Sequence, residues 1–149
     1  LVVKEKGLVQ LELIKKTMRQ FPSDINALDK VLSWFEEMNR PFIPQKVWLQ
    51  CQLALAEAFT NAVRHAHKNC SPDVTVEIEV TLLPQYLEIR IWDFGLPFDL
   101  EKQLKNVPET VNEKAEGGRG LRILHQIADE LSYTRTDRNR NCLLLVKHY

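Results

Sequence analysis

Trp48, Cys51, Leu55, Ala58, Phe59, Ala62 and Ala66 recur at spacings of three and four, which is one apolar stripe along an amphipathic helix. Pro44 opens this helix, and it is expected to run to about Lys68. Ile25, Leu28, Val31, Leu32, Phe35 and Met38 keep the same spacing behind Pro22-Ser23-Asp24, which ends a connection and offers an N-cap. That helix is expected to stop near Asn39, before Pro41. Elsewhere the period falls to two. Val74, Val76, Ile78 and Val80 alternate with Thr75, Glu77, Glu79 and Thr81, and Leu87, Ile89 and Ile91 alternate with Glu88, Arg90 and Trp92. With Pro84-Gln85 between them, the two runs predict an antiparallel hairpin with one buried face, which carries Asp93 to its far end.

Val9, Leu11 and Leu13 alternate with Gln10 and Glu12, so a further strand is expected at the start. Leu121, Leu124, Ile127 and Ala128 mark a third helix behind Gly117-Gly118-Arg119-Gly120. Leu131 to Thr136 and Asn141 to His148 predict a closing hairpin turning around Asp137 to Asn139. Leu96 to Gly117 has no clear period, contains Pro97 and Pro108, and reads as a lid-like loop; so long a loop in a compact domain is usually functional or mobile. The order β-α-α-β-β-lid-α-β-β predicts an α+β fold: a two-layer α/β sandwich with a mainly antiparallel mixed sheet and helices on one face.

Length and charge narrow the class. The 149 residues fit one domain, with no repeat or linker. A chain this long buries roughly 68–70% of its unfolded surface, so it needs neither disulfide nor metal to fold. Twenty basic residues balance twenty acidic ones, which leaves no footprint for direct nucleic-acid binding. Arg135, Arg138 and Arg140 cluster, and a solvated turn accounts for them. Cys51, Cys70 and Cys142 are odd in number and lack Cys-x-x-Cys spacing, which fits a reducing cytoplasm and argues against structural zinc or a disulfide framework. No apolar run reaches the length of a membrane span and no signal-peptide pattern is present; the start at Leu1 suggests a trimmed N-terminus.

Three segments carry candidate chemistry. Glu57, Asn61 and His65 are four apart, so a carboxylate, an amide and an imidazole share one row beside the apolar stripe. Alone, such a row is the wet face of a helix. Gly117 to Gly120 offers close-approaching amides at a helix start, which suits phosphate, with Arg119 as a further contact; alone it is a turn before a helix. Asp93-Phe94-Gly95 matches the magnesium motif of protein kinases, but their His-Arg-Asp loop and Val-Ala-Ile-Lys strand are missing. Asp93 serves better as an acceptor for an exocyclic amine, with Gly95 letting a flat ring sit on the backbone; Asp and Gly also favour an ordinary turn.

Taken in order, the three segments resemble the N, G1 and G2 boxes of the GHKL (histidine-kinase-like) ATPase superfamily, whose fold is the Bergerat fold. Glu57-Ala58-Phe59-Thr60-Asn61-Ala62-Val63-Arg64-His65, Asp93-Phe94-Gly95-Leu96-Pro97-Phe98-Asp99 and Gly117-Gly118-Arg119-Gly120-Leu121-Arg122-Ile123-Leu124 are most similar to the boxes of bacterial anti-sigma-factor serine/threonine kinases. Asn141-Cys142-Leu143-Leu144-Leu145-Val146-Lys147 also resembles that group's last strand, and Pro97-Phe98 stands where many G1 boxes carry a second glycine. The resemblance implies that Asn61 coordinates magnesium on the phosphates of ATP, that Asp93 accepts from the adenine amine, and that Gly95 packs by the ring. It implies a phosphate site at Gly118, Arg119, Gly120 and Leu121 under a lid at about 96–117. Glu57 would be the general base for a protein serine or threonine hydroxyl, and His65 a supporting residue. The implied partners are a sigma factor and an anti-anti-sigma (STAS-type) antagonist, and the resemblance also implies a homodimer. Two other readings share the fold. One is a non-catalytic nucleotide-binding or protein-interaction module. The other is a histidine-kinase catalytic domain, which the first helix, with no histidine from Asp24 to Asn39, does not favour.

Overall fold

A helix with one apolar stripe must lay it against another apolar face. In the computed structural model that face is one side of a five-stranded sheet. The structure describes residues 12–68, 70, 73–97, 99–105, 118–136 and 139–149, with the side chains of 65, 66, 101, 103, 118 and 119 left aside. The strands are β1 (Lys15–Pro22), β2 (Thr75–Leu82), β3 (Tyr86–Asp93), β4 (Glu130–Arg135) and β5 (Asn141–His148), in the spatial order β1-β2-β3-β5-β4. Every pairing among them is antiparallel. Helices α1 (Leu28–Glu36), α2 (Gln45–Asn61), α3 (Leu100–Lys105) and α4 (Gly118–Ile127) complete the described elements.

The register builds the core. Ile78 pairs with Ile91, and Ile91 with Leu143; Val80 pairs with Ile89, and Ile89 with Leu145. These branched side chains stand in rows across three strands, and all are buried. Trp48, Cys51, Leu55, Ala58, Phe59 and Ala62 of the stripe join the same core. Phe35 of α1 stacks on Trp48 of α2, centroids 4.4 Å apart. A helix of nine residues is marginal in water alone, so α1 exists by this packing. Asp24 accepts the N–H of Asn26 at 3.0 Å, and a short 3-10 turn, Ile25–Ala27, leads into α1. Burial pushes the Cys51 thiol up to about 12, so it behaves as a core apolar group.

Four features depart from expectation. The first described strand is Lys15–Pro22; Leu13, expected at the end of the first strand, precedes it and is 41% exposed, while Val9 and Leu11 lie outside the described residues. β1 is an edge strand that buries only Phe21, so it carries no period. Within the expected lid, Leu100–Lys105 is helical, with Asp99 accepting the Lys102 N–H at 3.1 Å and Leu100 and Leu104 packed on the core. Residues 106–117 lie outside the described residues. Glu79 and Thr81, on the side of the hairpin away from the helices, are buried rather than wet. Glu79 is flanked by Lys16 and Arg90, each at 3.7 Å, and a carboxylate needs such counter-charge when water is excluded. Finally, α2 does not continue as an α-helix to Lys68. It passes at Ala62 into a π turn, Ala62–Ala66, closed by the His67 N–H to the Ala62 carbonyl at 3.0 Å.

Candidate functional site

The hairpin delivers Asp93 as the last residue of β3, and its carboxylate is held from the side. Asp93 pairs with Asn141 across β3 and β5, and Asn141 pairs with Arg135 across β5 and β4. Antiparallel partners share a face, so the three side chains meet in one row. Asp93 Oδ1 accepts the N–H of Gly95 at 2.9 Å and the Nδ2 amine of Asn141 at 2.8 Å. The same Asn141 amine donates to the Gly95 carbonyl at 2.8 Å. Arg135 donates to the Gly95 carbonyl at 3.0 Å and to Asn141 Oδ1 at 3.1 Å. With acceptors on one side and a guanidinium on the other, only one orientation of the Asn141 amide satisfies every contact. Asn141 is 0% exposed and Asp93 5% exposed. Among the described residues both bonds to the carboxylate use Oδ1, which leaves Oδ2 as the oxygen that a ligand amine would meet. Burial, with the Asp93 charge adding, raises the Tyr133 hydroxyl above its ordinary range, so it remains protonated beside the carboxylate.

The N-box residues approach from α2. Glu57 and Asn61 are half-buried, one turn apart, and Asn61 is the last residue of α2. Glu57 reaches the start of α4: a Cβ built on Gly120 would stand 2.8 Å from Glu57 Oε2. Only a glycine lets the first turn of α4 come this close to the carboxylate. The helix start thus presents its backbone N–H groups beside the candidate base. Leu121 has its side chain in the core, so its backbone is the part available to a ligand. Gly118 and Arg119 open α4, while Gly117 and Phe98 lie outside the described residues.

The end of α2 meets the Asp93 turn through His67. Its Nε2 accepts the N–H of Phe94 at 2.9 Å, and its Nδ1 lies 2.7 Å from Ser23 Oγ. Burial lowers the His67 pKa below its ordinary value, against a smaller opposite effect of Asp93. The helix row pointed instead to His65, whose side chain lies outside the described residues. Among the described residues no group of three His, Cys, Asp or Glu side chains can hold a metal by itself. An amide such as Asn61 suits magnesium shared with phosphate oxygens, because that ion is usually held by one or two protein ligands plus substrate phosphate.

Asn141, Arg135 and His67 did not stand out in the sequence as parts of the site. Arg135 and Arg140 are not members of a merely solvated turn: Arg135 supports Asp93 as described, and Arg140 pairs with Glu77 at 3.1 Å and lies over the Trp92 ring at 5.4 Å. The one signal for Asn141 is a polar residue opening a strand whose next five positions are apolar.

No helix among the described residues is long and apolar enough to cross a membrane. The chain is similar to the serine-protein kinase RsbW of Listeria monocytogenes serotype 4a, 35% identical over 85 residues, or 54% of each chain. It is also similar to the serine-protein kinase RsbW of Bacillus licheniformis, 38% identical over 87 residues (54% of this chain, 52% of the relative), and of Bacillus pumilus, 34% identical over 86 residues (54% and 53%). The chain spans about half the length of the curated relatives it matches. The histidine kinase-like ATPase domain matches residues 21–147, from the end of β1 through β5, so the chain belongs to the family of histidine kinase-like ATPase domains.

Proposed function

We propose that this domain binds ATP with magnesium and transfers the γ-phosphoryl group to a serine or threonine of an anti-anti-sigma (STAS-type) protein, and that it exchanges this antagonist for a sigma factor according to nucleotide state. The observation that carries the reading is a carboxylate pinned by one oxygen, Asp93, on a turn that His67 ties to the end of the helix bearing a second carboxylate, Glu57, which is set against a glycine-built helix start. The names of the similar proteins, serine-protein kinases, support the same chemistry.

Each residue has a task in this reading. Asp93 Oδ2 accepts from the adenine amine while Asn141 and Gly95 hold Oδ1. The backbone at Gly118, Gly120 and Leu121, which opens α4, would hold the phosphates, and Asn61, which ends α2, would hold magnesium. Magnesium would neutralise charge on the phosphate oxygens. Glu57 takes the proton of the acceptor hydroxyl as its oxygen bonds to the γ-phosphorus and ADP leaves. A positioned base contributes ~10²–10⁴ in rate.

Calorimetric titration of ATP with magnesium into wild type and Asp93→Asn tests the pocket: binding to wild type and marked loss in the variant are expected. Glu57→Gln should abolish transfer to the antagonist and leave ATP bound. Transfer that persists in Glu57→Gln would show that the base is assigned wrongly. ATP binding with no transfer by wild type to any antagonist would leave a non-catalytic binding module.

A further inference from the structure

His67 is 7% exposed and lies one residue beyond the π turn. Its ring bridges segments far apart in sequence. Nε2 accepts the Phe94 N–H, so in this tautomer Nδ1 carries the proton and donates to Ser23 Oγ. Ser23 is itself fixed by its N–H to the Val74 carbonyl at 3.2 Å, and the His67 carbonyl accepts from the Cys70 N–H at 3.0 Å. The Phe94 N–H belongs to the peptide that follows Asp93, inside the turn closed by the Gly95 N–H on Asp93 Oδ1. The Phe94 ring lies against the imidazole, centroids 6.5 Å apart. One ring therefore ties the entry to α1, the end of the helix bearing Glu57 and Asn61, and the turn bearing Asp93.

We infer that His67 is a positioning residue for adenine recognition: by accepting the Phe94 N–H it fixes the peptide after Asp93, and with it the direction in which Asp93 presents its Oδ2. The inference rests on the nucleotide-binding reading above. His67 acts through Asp93 and meets no ligand atom itself. Ser23 faces the ring as a neutral partner from the entry to α1, and the Asp93 carboxylate is the charge felt at the ring from β3. An imidazolium would set one N–H against another at Phe94, so the neutral ring is the form that holds the turn.

Side-chain length separates the two contacts. A glutamine oxygen reaches the position of Nε2, whereas an asparagine amide reaches only that of Nδ1. The test titrates ATP with magnesium, and purine riboside triphosphate with magnesium, into wild type, His67→Gln, His67→Asn and His67→Phe. The second ligand lacks the amine that Asp93 would read. His67→Gln should bind ATP within about twofold of wild type, and His67→Asn and His67→Phe should lose roughly 3- to 10-fold, the size of one net hydrogen bond. Affinity for purine riboside triphosphate should hold in all four, because only the amine contact moves. Equal losses for both ligands, or retention by Asn with loss by Gln, would overturn the inference. Hydrogen exchange at the Phe94 amide in the free protein gives a readout that needs no nucleotide. It should be protected in wild type and His67→Gln and faster in the other two; uniform protection would also overturn the inference. Failure of wild type to bind ATP, with the Phe94 exchange pattern as expected, would overturn the nucleotide site and not the clasp.

Discussion

Asn141→Ala removes the side chain that holds Asp93, and the structure sets the size of the effect. The Asn141 amine donates twice at 2.8 Å, once to the Asp93 carboxylate and once to the Gly95 carbonyl. A hydrogen bond to a charged group contributes about 1.5–3 kcal/mol net, and one between neutral groups about 0.5–1.5 kcal/mol. The Gly95 carbonyl keeps Arg135, so its loss is at the low end, but among the described residues Asp93 Oδ1 keeps only the Gly95 N–H, and Asp93 is 5% exposed. The expected destabilisation is roughly 2–4 kcal/mol. For a domain of this size that lowers Tm by about 5–15 °C, at about 2–4 °C per kcal/mol. A carboxylate freed at one oxygen also rotates, so ATP affinity should fall about tenfold or more, the equivalent of 1.4 kcal/mol per decade. Differential scanning calorimetry and ATP titration on wild type and variant read both numbers. A Tm within about 1 °C of wild type together with unchanged ATP affinity would refute the claim that Asn141 anchors Asp93.

Three further outcomes follow from other contacts. Gly120→Ala should change stability by no more than about 1 kcal/mol, because alanine favours the helix while only the flexible tip of Glu57 must give way; transfer should nevertheless fall steeply with ATP still bound, as a phosphotransfer assay would read. Trp48→Phe keeps the stack on Phe35 but loses the indole N–H to the Glu36 carboxylate at 2.7 Å, so urea denaturation should show a loss of about 1.5–3 kcal/mol. The folded state lowers the His67 pKa from 6.5, so below that pH the unfolded chain binds the extra proton first. The His67 contribution is therefore fully present above pH 6.5 and lost as pH falls through the lowered folded value, and denaturation of wild type against His67→Gln across that range should show the gap close towards acid.

What the sequence shows well is what repeats locally. The stripe from Trp48 to Ala62, the alternations of β2 and β3 and the apolar run of β5 each put buried positions into one stretch, so the helix, the hairpins and the place of Asp93 at a strand end are all legible. β1 is not, because an edge strand burying one phenylalanine has no face to write into its pattern. α3 is not, because six residues allow a single four-residue repeat, Leu100 and Leu104. The support of Asp93 is invisible for a different reason: Asn141 is 48 residues away, and only the β3–β5 register brings it into place. Glu79 reads as a wet position because strand alternation says nothing about long neighbours such as Lys16 and Arg90 closing over it. The polar row extended to His65 on the assumption of a constant helical period, and the π turn breaks that period just before His67.

That turn makes the winding of this segment a constraint separate from its composition. A π turn holds one residue more than the α-helical turn it replaces. Substitutions that let α2 run on as a regular helix with every residue kept would be a gain for the helix itself. Everything beyond would then swing by about 100° around the helix axis and shift by about 1.5 Å along it. The His67 ring would leave both Ser23 and Phe94, although every side chain in the contact was still encoded. Exposed Arg64 can therefore vary only among residues that leave the π turn wound as it is, because rewinding it would draw His67 away from the turn that bears Asp93.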